Sequence, residues 1–163
     1  MIKVFLESIV AYNNGATKGR WITLPMTEDD LRDEIKDILD GDEEYFITDW
    51  ECEFFSISQY DNISILNEKA EYLSEKEDYE LAELKAICEL VDFDEAKDIL
   101  EKGNYFFIPD VSSETELGEY VIDEGLFGID IPDSLKNYID YEAIGRDWLM
   151  DYNLVEGGAI NIC

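Results

Sequence analysis

Apolar residues at the start of the chain recur at every second position. Ile2, Val4 and Leu6 interleave with Lys3, Phe5 and Glu7, the two-residue period of a strand. Asn13-Asn14-Gly15 is a turn signal, and Arg20-Trp21-Ile22-Thr23-Leu24 reads as a partner strand ending at Pro25. The period then changes. Thr27 stands where an N-cap belongs, followed by Glu28, Asp29 and Asp30 where the helix dipole favours acids. Leu31, Ile35, Ile38 and Leu39 share one helical face, and Gly41 is the expected stop. Residues 45–50 form a third strand.

From about Ile63 to Lys102 there is neither Pro nor Gly, and the pattern is helical throughout. Leu66, Ala70 and Leu73 make one stripe, Leu81, Leu84, Cys88 and Val91 a second, and Ala96, Ile99 and Leu100 a third before Gly103. Two or three short helices are predicted. Beyond them, residues 105–108 (Tyr-Phe-Phe-Ile) read as a strand stopped by Pro109. Ser113 with Glu116 forms a capping box for a helix carrying Leu117, Tyr120 and Val121. Pro132-Asp133-Ser134 opens another helical stretch to about Tyr138, and residues 159–162 suit a closing strand. The predicted class is α+β, elongated, with three small units in line. These are a sheet with one helix (1–61), a helical unit (62–103) and a mixed α/β unit (104–163).

Charge changes this picture more than any motif so far. The 163 residues hold 41 acids, 12 bases and no histidine, a net charge of −29, yet 46% are hydrophobic. That apolar content is enough for a core, so the acidity is not that of a disordered tail. A domain of this size ordinarily carries a charge of roughly 2–8 in magnitude, because like charges oppose the compact state. Acids outnumber bases 15 to 5 in residues 1–61, 13 to 5 in 62–103 and 13 to 2 in 104–163. The excess is therefore a property of the whole surface. Duplex DNA carries one charge per roughly 1.7 Å of axis, so this charge corresponds to about 50 Å of duplex.

The sign excludes partners as well as suggesting one. Phosphates and anionic membrane surfaces call for Lys and Arg clusters, so neither nucleic acid nor membrane is an expected ligand. The first ten residues are too short an apolar run, interrupted by Lys3 and Glu7, for a signal peptide or a span. Cys52, Cys88 and Cys163 are scattered without a CxxC pair, which fits free thiols in a reducing cytoplasm.

Catalytic chemistry finds little footing. Without histidine, the usual general base and the commonest metal ligand are missing. There is no GxSxG, no phosphate-binding glycine loop and no Cys–His pair. Carboxylate pairs abound, but among 41 acids some fall at any spacing by chance. Glu28, Asp29 and Asp30, and Asp92, Asp94 and Asp98, lack the spacing and glycine of a calcium loop. The expectation is a binding protein with no cofactor and no metal, not an enzyme.

Three segments narrow the partner. Residues 131–147 (Ile-Pro-Asp-Ser-Leu-Lys-Asn-Tyr-Ile-Asp-Tyr-Glu-Ala-Ile-Gly-Arg-Asp) strongly resemble the antirestriction motif of the ArdA family. Ala11-Tyr12-Asn13-Asn14-Gly15 with Gly19-Arg20-Trp21-Ile22 is similar to that family's opening hairpin. Residues 45–51 resemble its next signature, with Trp50 where Tyr is commoner. Around Gly145, Trp148 and Leu149 the chain departs from the family pattern.

The resemblance implies an inhibitor, carried by plasmids and conjugative transposons, that protects incoming DNA from type I restriction–modification enzymes. It implies an elongated three-domain homodimer whose carboxylates follow the phosphates of bent DNA and fill the groove of the methyltransferase core. On this chain the candidate mimic surface is Glu28, Asp29, Asp33, Asp37, Asp40, Asp42, Glu43, Glu44, Glu75, Glu77, Glu80, Asp98, Glu114, Glu116 and Glu119. Leu135, Tyr138, Ile139, Tyr141, Ala143 and Ile144 are the candidates for the motif's dimer contact, with ordinary core of the last unit as the competing role. Arg146 beside Asp147 reads as an ion pair. The rival functions are an acidic protein binding a basic host DNA-binding protein without copying duplex geometry, and a carboxylate hydrolase.

Overall fold

The structure, a computed structural model, describes residues 1–128 and 130–163. It is α+β, with two small antiparallel sheets and eight helices among the described residues. The chain divides into two compact units, Met1–Leu81 and Ala82–Cys163.

In the first unit, β1 (Ile2–Ser8) lies between β2 (Gly19–Leu24) and β3 (Tyr45–Glu51), antiparallel to both. The alternation at the start of the sequence is what places it centrally. Ile2, Val4 and Leu6 are fully buried, with Leu24 opposite Ile2 and Ile22 opposite Val4. The pairing with β3 slips between Phe5 and Leu6, leaving Thr48 as the extra residue, and Phe46 and Ile47 beyond it are both buried. The turn expected at Asn13-Asn14-Gly15 is preceded by a short helix, α1 (Ile9–Asn13), whose Ala11 N–H donates to the Ser8 hydroxyl. Gly15, at φ +75°, then takes the turn.

Helix α2 (Glu28–Leu39) begins as the sequence predicts. The Thr27 side chain accepts from the Asp30 N–H, and Leu31 and Ile38 are buried on one face. Its stop comes one residue early: Asp40 already adopts the left-handed conformation, and its N–H donates to the Lys36 carbonyl. Helix α3 (Ile63–Ser74), capped by Asn62, buries the predicted stripe of Leu66, Ala70 and Leu73.

Helix α4 (Asp78–Cys88) spans the division. In the second unit α5 (Phe93–Lys102) is capped by Asp92 and ends at left-handed Gly103. The second sheet places β6 (Gly158–Ile162) between β4 (Tyr105–Pro109) and β5 (Asn153–Val155). Pro109 closes β4 rather than preceding its end, which an edge strand tolerates. Helix α6 (Glu114–Asp123) carries the predicted Ser113 cap. Glu116, however, accepts from the N–H and hydroxyl of Ser112, so the capping box closes one residue upstream of its expected place.

The end of the chain differs most from expectation. The stretch opened at Pro132 is only one turn, α7 (Asp133–Lys136), and a second helix follows, α8 (Tyr141–Trp148), capped by Asp140. Neither α8 nor β5 is evident in the sequence pattern. Helices α6 and α8 pack on a core of Ile108, Val111, Leu117, Val121 and Ala159, to which Ile144, Trp148 and Leu149 add their side chains.

Candidate interaction surface

The candidate acids fall into two groups once their neighbours are in view. Lys18 Nζ lies 3.4 Å from Asp42 and 3.6 Å from Asp40 and donates to the Leu39 carbonyl at 2.6 Å. Arg20 reaches Glu34 at 3.2 Å and Asp37 at 3.4 Å. Arg32 pairs with Asp29 at 3.0 Å, Lys76 with Glu80 at 3.6 Å and Lys102 with Asp98 at 3.0 Å. Lys3–Glu51, Lys85–Glu156 and Lys136–Asp123 follow the same rule. In each of these pairs, base and acid belong to one unit. Acids outnumber bases 41 to 12, so a cation readily finds a carboxylate nearby.

Asp42 has a further duty. It accepts from the hydroxyl of fully buried Ser8, which itself caps α1, so one carboxylate links the end of β1 to the chain beyond α2. The Ser8 hydrogen bond holds Asp42 below the ordinary carboxylate range, with Lys18 acting in the same direction. Glu116 is likewise lowered by its two bonds from Ser112. These acids organise the fold as well as charging it.

Glu28, Asp33, Glu43, Glu44, Glu75, Glu77 and Glu119 are exposed and make no ion pair among the described residues. Glu114 is half-buried, as are Asp42 and Glu80. Glu68, Glu71, Glu95, Glu101 and Glu142 are exposed too and stand outside the sequence-derived set. The helical period could have found them, since they lie on the polar sides of their helices.

The antirestriction segment divides by burial. Leu135 and Tyr138 are 53% and 86% exposed. Ile139, Tyr141 and Ala143 are half-buried, the Tyr141 hydroxyl donating to the Lys136 carbonyl at 3.1 Å. Ile144 packs against the core of the second unit. The expected Arg146–Asp147 pair does not form: both are exposed, and neither makes an ion pair among the described residues. Adjacent positions on a helix point about 100° apart, which explains the separation.

Among the described residues no group of three or more His, Cys, Asp or Glu side chains is gathered to hold a metal ion. None of the described helices is long and apolar enough to cross a membrane. Cys52, Cys88 and Cys163 are not joined in disulfides. The chain is thus a strongly acidic α+β protein, with net charge −29 and most of its bases paired with its own acids.

The chain belongs to the ArdA family: the family model described as antirestriction protein (ArdA) matches residues 4–161. Proteins of this family are inhibitors that act against type I restriction–modification enzymes. No curated protein matches the chain.

Proposed function

We propose that this chain inhibits type I restriction–modification enzymes as a DNA mimic, its carboxylates taking the place of phosphates in the DNA-binding groove of the methyltransferase core. The observation that carries the reading is the set of exposed, unpaired acids from Glu28 to Glu119 in a chain of this family. Such a surface attracts a phosphate-binding cleft over a distance, and its hold weakens as salt rises. The working form in this reading is a cytoplasmic homodimer encoded on a mobile element, with three small units in line. Leu135 and Tyr138 supply its most exposed apolar contact.

Competition tests the reading. Purified protein should displace unmodified duplex from a type I methyltransferase core, with a steep salt dependence, and should protect unmodified phage plated on a restricting host. Binding that duplex DNA does not displace would favour an acidic protein recognising a basic partner by ordinary contacts. Unchanged plating against several type I families would remove the proposal.

A further inference from the structure

A groove of about 610 Å³ in the first unit is lined by the first turns of α2 and by α3. The less exposed part of its lining is mostly apolar: Leu31 is buried and Met26 and Ile35 are half-buried, with Asn67 the buried polar member. The exposed part is acidic, with Glu28 on α2 and Glu68 and Glu71 on α3. Arg32 also borders the groove, but its guanidinium lies 3.0 Å from Asp29.

The groove has a fixed frame. Asn67 Nδ2 donates to the Met26 carbonyl and Asn67 Oδ1 accepts from the Met26 N–H, both at 2.9 Å. The side-chain amide is thereby satisfied and holds the entry to α2 against α3. The positive end of the α2 dipole would disfavour a cation, but Glu28, Asp29 and Asp30 already occupy its first turn.

A long cationic side chain meets this lining at both ends of its chemistry. Its methylenes can lie along Met26, Leu31 and Ile35 while its head faces the carboxylates. An anion would be repelled, and a neutral apolar ligand would desolvate the acids without replacing their water. Duplex DNA offers a comparable feature, since the minor groove runs between two rows of phosphates and takes arginine side chains. Arginine suits it better than lysine because the planar guanidinium can engage two carboxylate oxygens at once.

We infer that the α2–α3 groove receives an arginine side chain of the restriction enzyme, imitating a groove of DNA and not only its phosphate ridges. This rests on the DNA-mimic reading proposed above.

The full-length chain is titrated with acetyl-arginine amide and with its uncharged citrulline counterpart, observed by NMR. The methyl signals of Leu31 and Ile35 and the side-chain amide of Asn67 should move saturably with the first and not with the second. The variant E28Q/E68Q/E71Q should lose that response. It should also weaken inhibition of a type I enzyme by roughly tenfold more than D33N/E43Q/E44Q, which removes the same charge from outside the groove. Shifts spread evenly over the acidic surface, or equal losses for the two variants, overturn the groove assignment and leave the mimicry standing. A wild-type chain that fails to compete with duplex DNA removes both.

Discussion

Gly118 of α6 and Gly145 of α8 face each other where the two helices cross. A Cβ on Gly118 would collide with the Tyr141 carbonyl and come within 3.1 Å of the Gly145 nitrogen, while one on Gly145 would collide with the Glu114 carbonyl. The backbones themselves are in contact, so no side chain can yield. Gly118→Ala and Gly145→Ala should each lower stability by about 1–3 kcal/mol through overpacking. Urea unfolding measures this. Wild-type midpoints for both variants would show that the helices do not approach so closely.

The Ser8–Asp42 contact makes part of the stability dependent on pH. The folded-state pKa of Asp42 is depressed below 3.8, so its contribution is present above that value and disappears as pH falls through the folded pKa. Asp42→Asn should therefore melt below wild type at pH 7, and the gap should close below pH 3.8. Comparing the two proteins at each pH removes the effect of the remaining acids. A gap that persisted at the lowest pH would assign the loss to something other than the carboxylate charge.

Distributed charge has its own signature in mutant series. Glu43→Gln alone should weaken inhibition by no more than about fivefold, as for other exposed charges. Neutralising Glu28, Asp33, Glu43 and Glu44 together should cost far more, and the difference should shrink as salt screens both proteins. Inhibition constants at two salt concentrations settle this. Abolition of activity by any single carboxylate change would contradict it.

Leu135 and Tyr138 can be altered without disturbing the core, because both side chains are exposed. Leu135→Asp with Tyr138→Asp should convert a dimer to monomer in sedimentation while leaving the circular dichroism spectrum unchanged. A dimer that survives both changes would move the contact elsewhere.

Much of the fold is legible in local chemistry. Ile2, Val4 and Leu6 announce a half-buried strand, and Thr27 and Ser113 mark helix starts that need only the neighbouring N–H groups. Helix α8 is not legible in the same way. Gly145 at its middle reads as a breaker, costing roughly 1 kcal/mol relative to alanine, until the carbonyl of Glu114 is seen where its side chain would be. Strand β5 has three residues and α1 five, too few for a period to emerge. For the interaction surface, residue counts reveal the excess of acid but not its allocation. That Arg20 gathers Glu34 and Asp37, while Glu43 and Glu44 stay unpaired, is decided by tertiary neighbours.

The pairing of bases with acids of their own unit has a consequence for how copies of the chain meet. A chain most of whose cations are already engaged has little to offer the acidic face of another copy. Copies therefore repel one another except, on the dimer contact proposed above, where Leu135 and Tyr138 meet. Raising ionic strength should then favour self-association, by relieving that repulsion, while loosening the grip on a basic target. On the reading proposed above, self-association and target binding respond to the same ions in opposite directions.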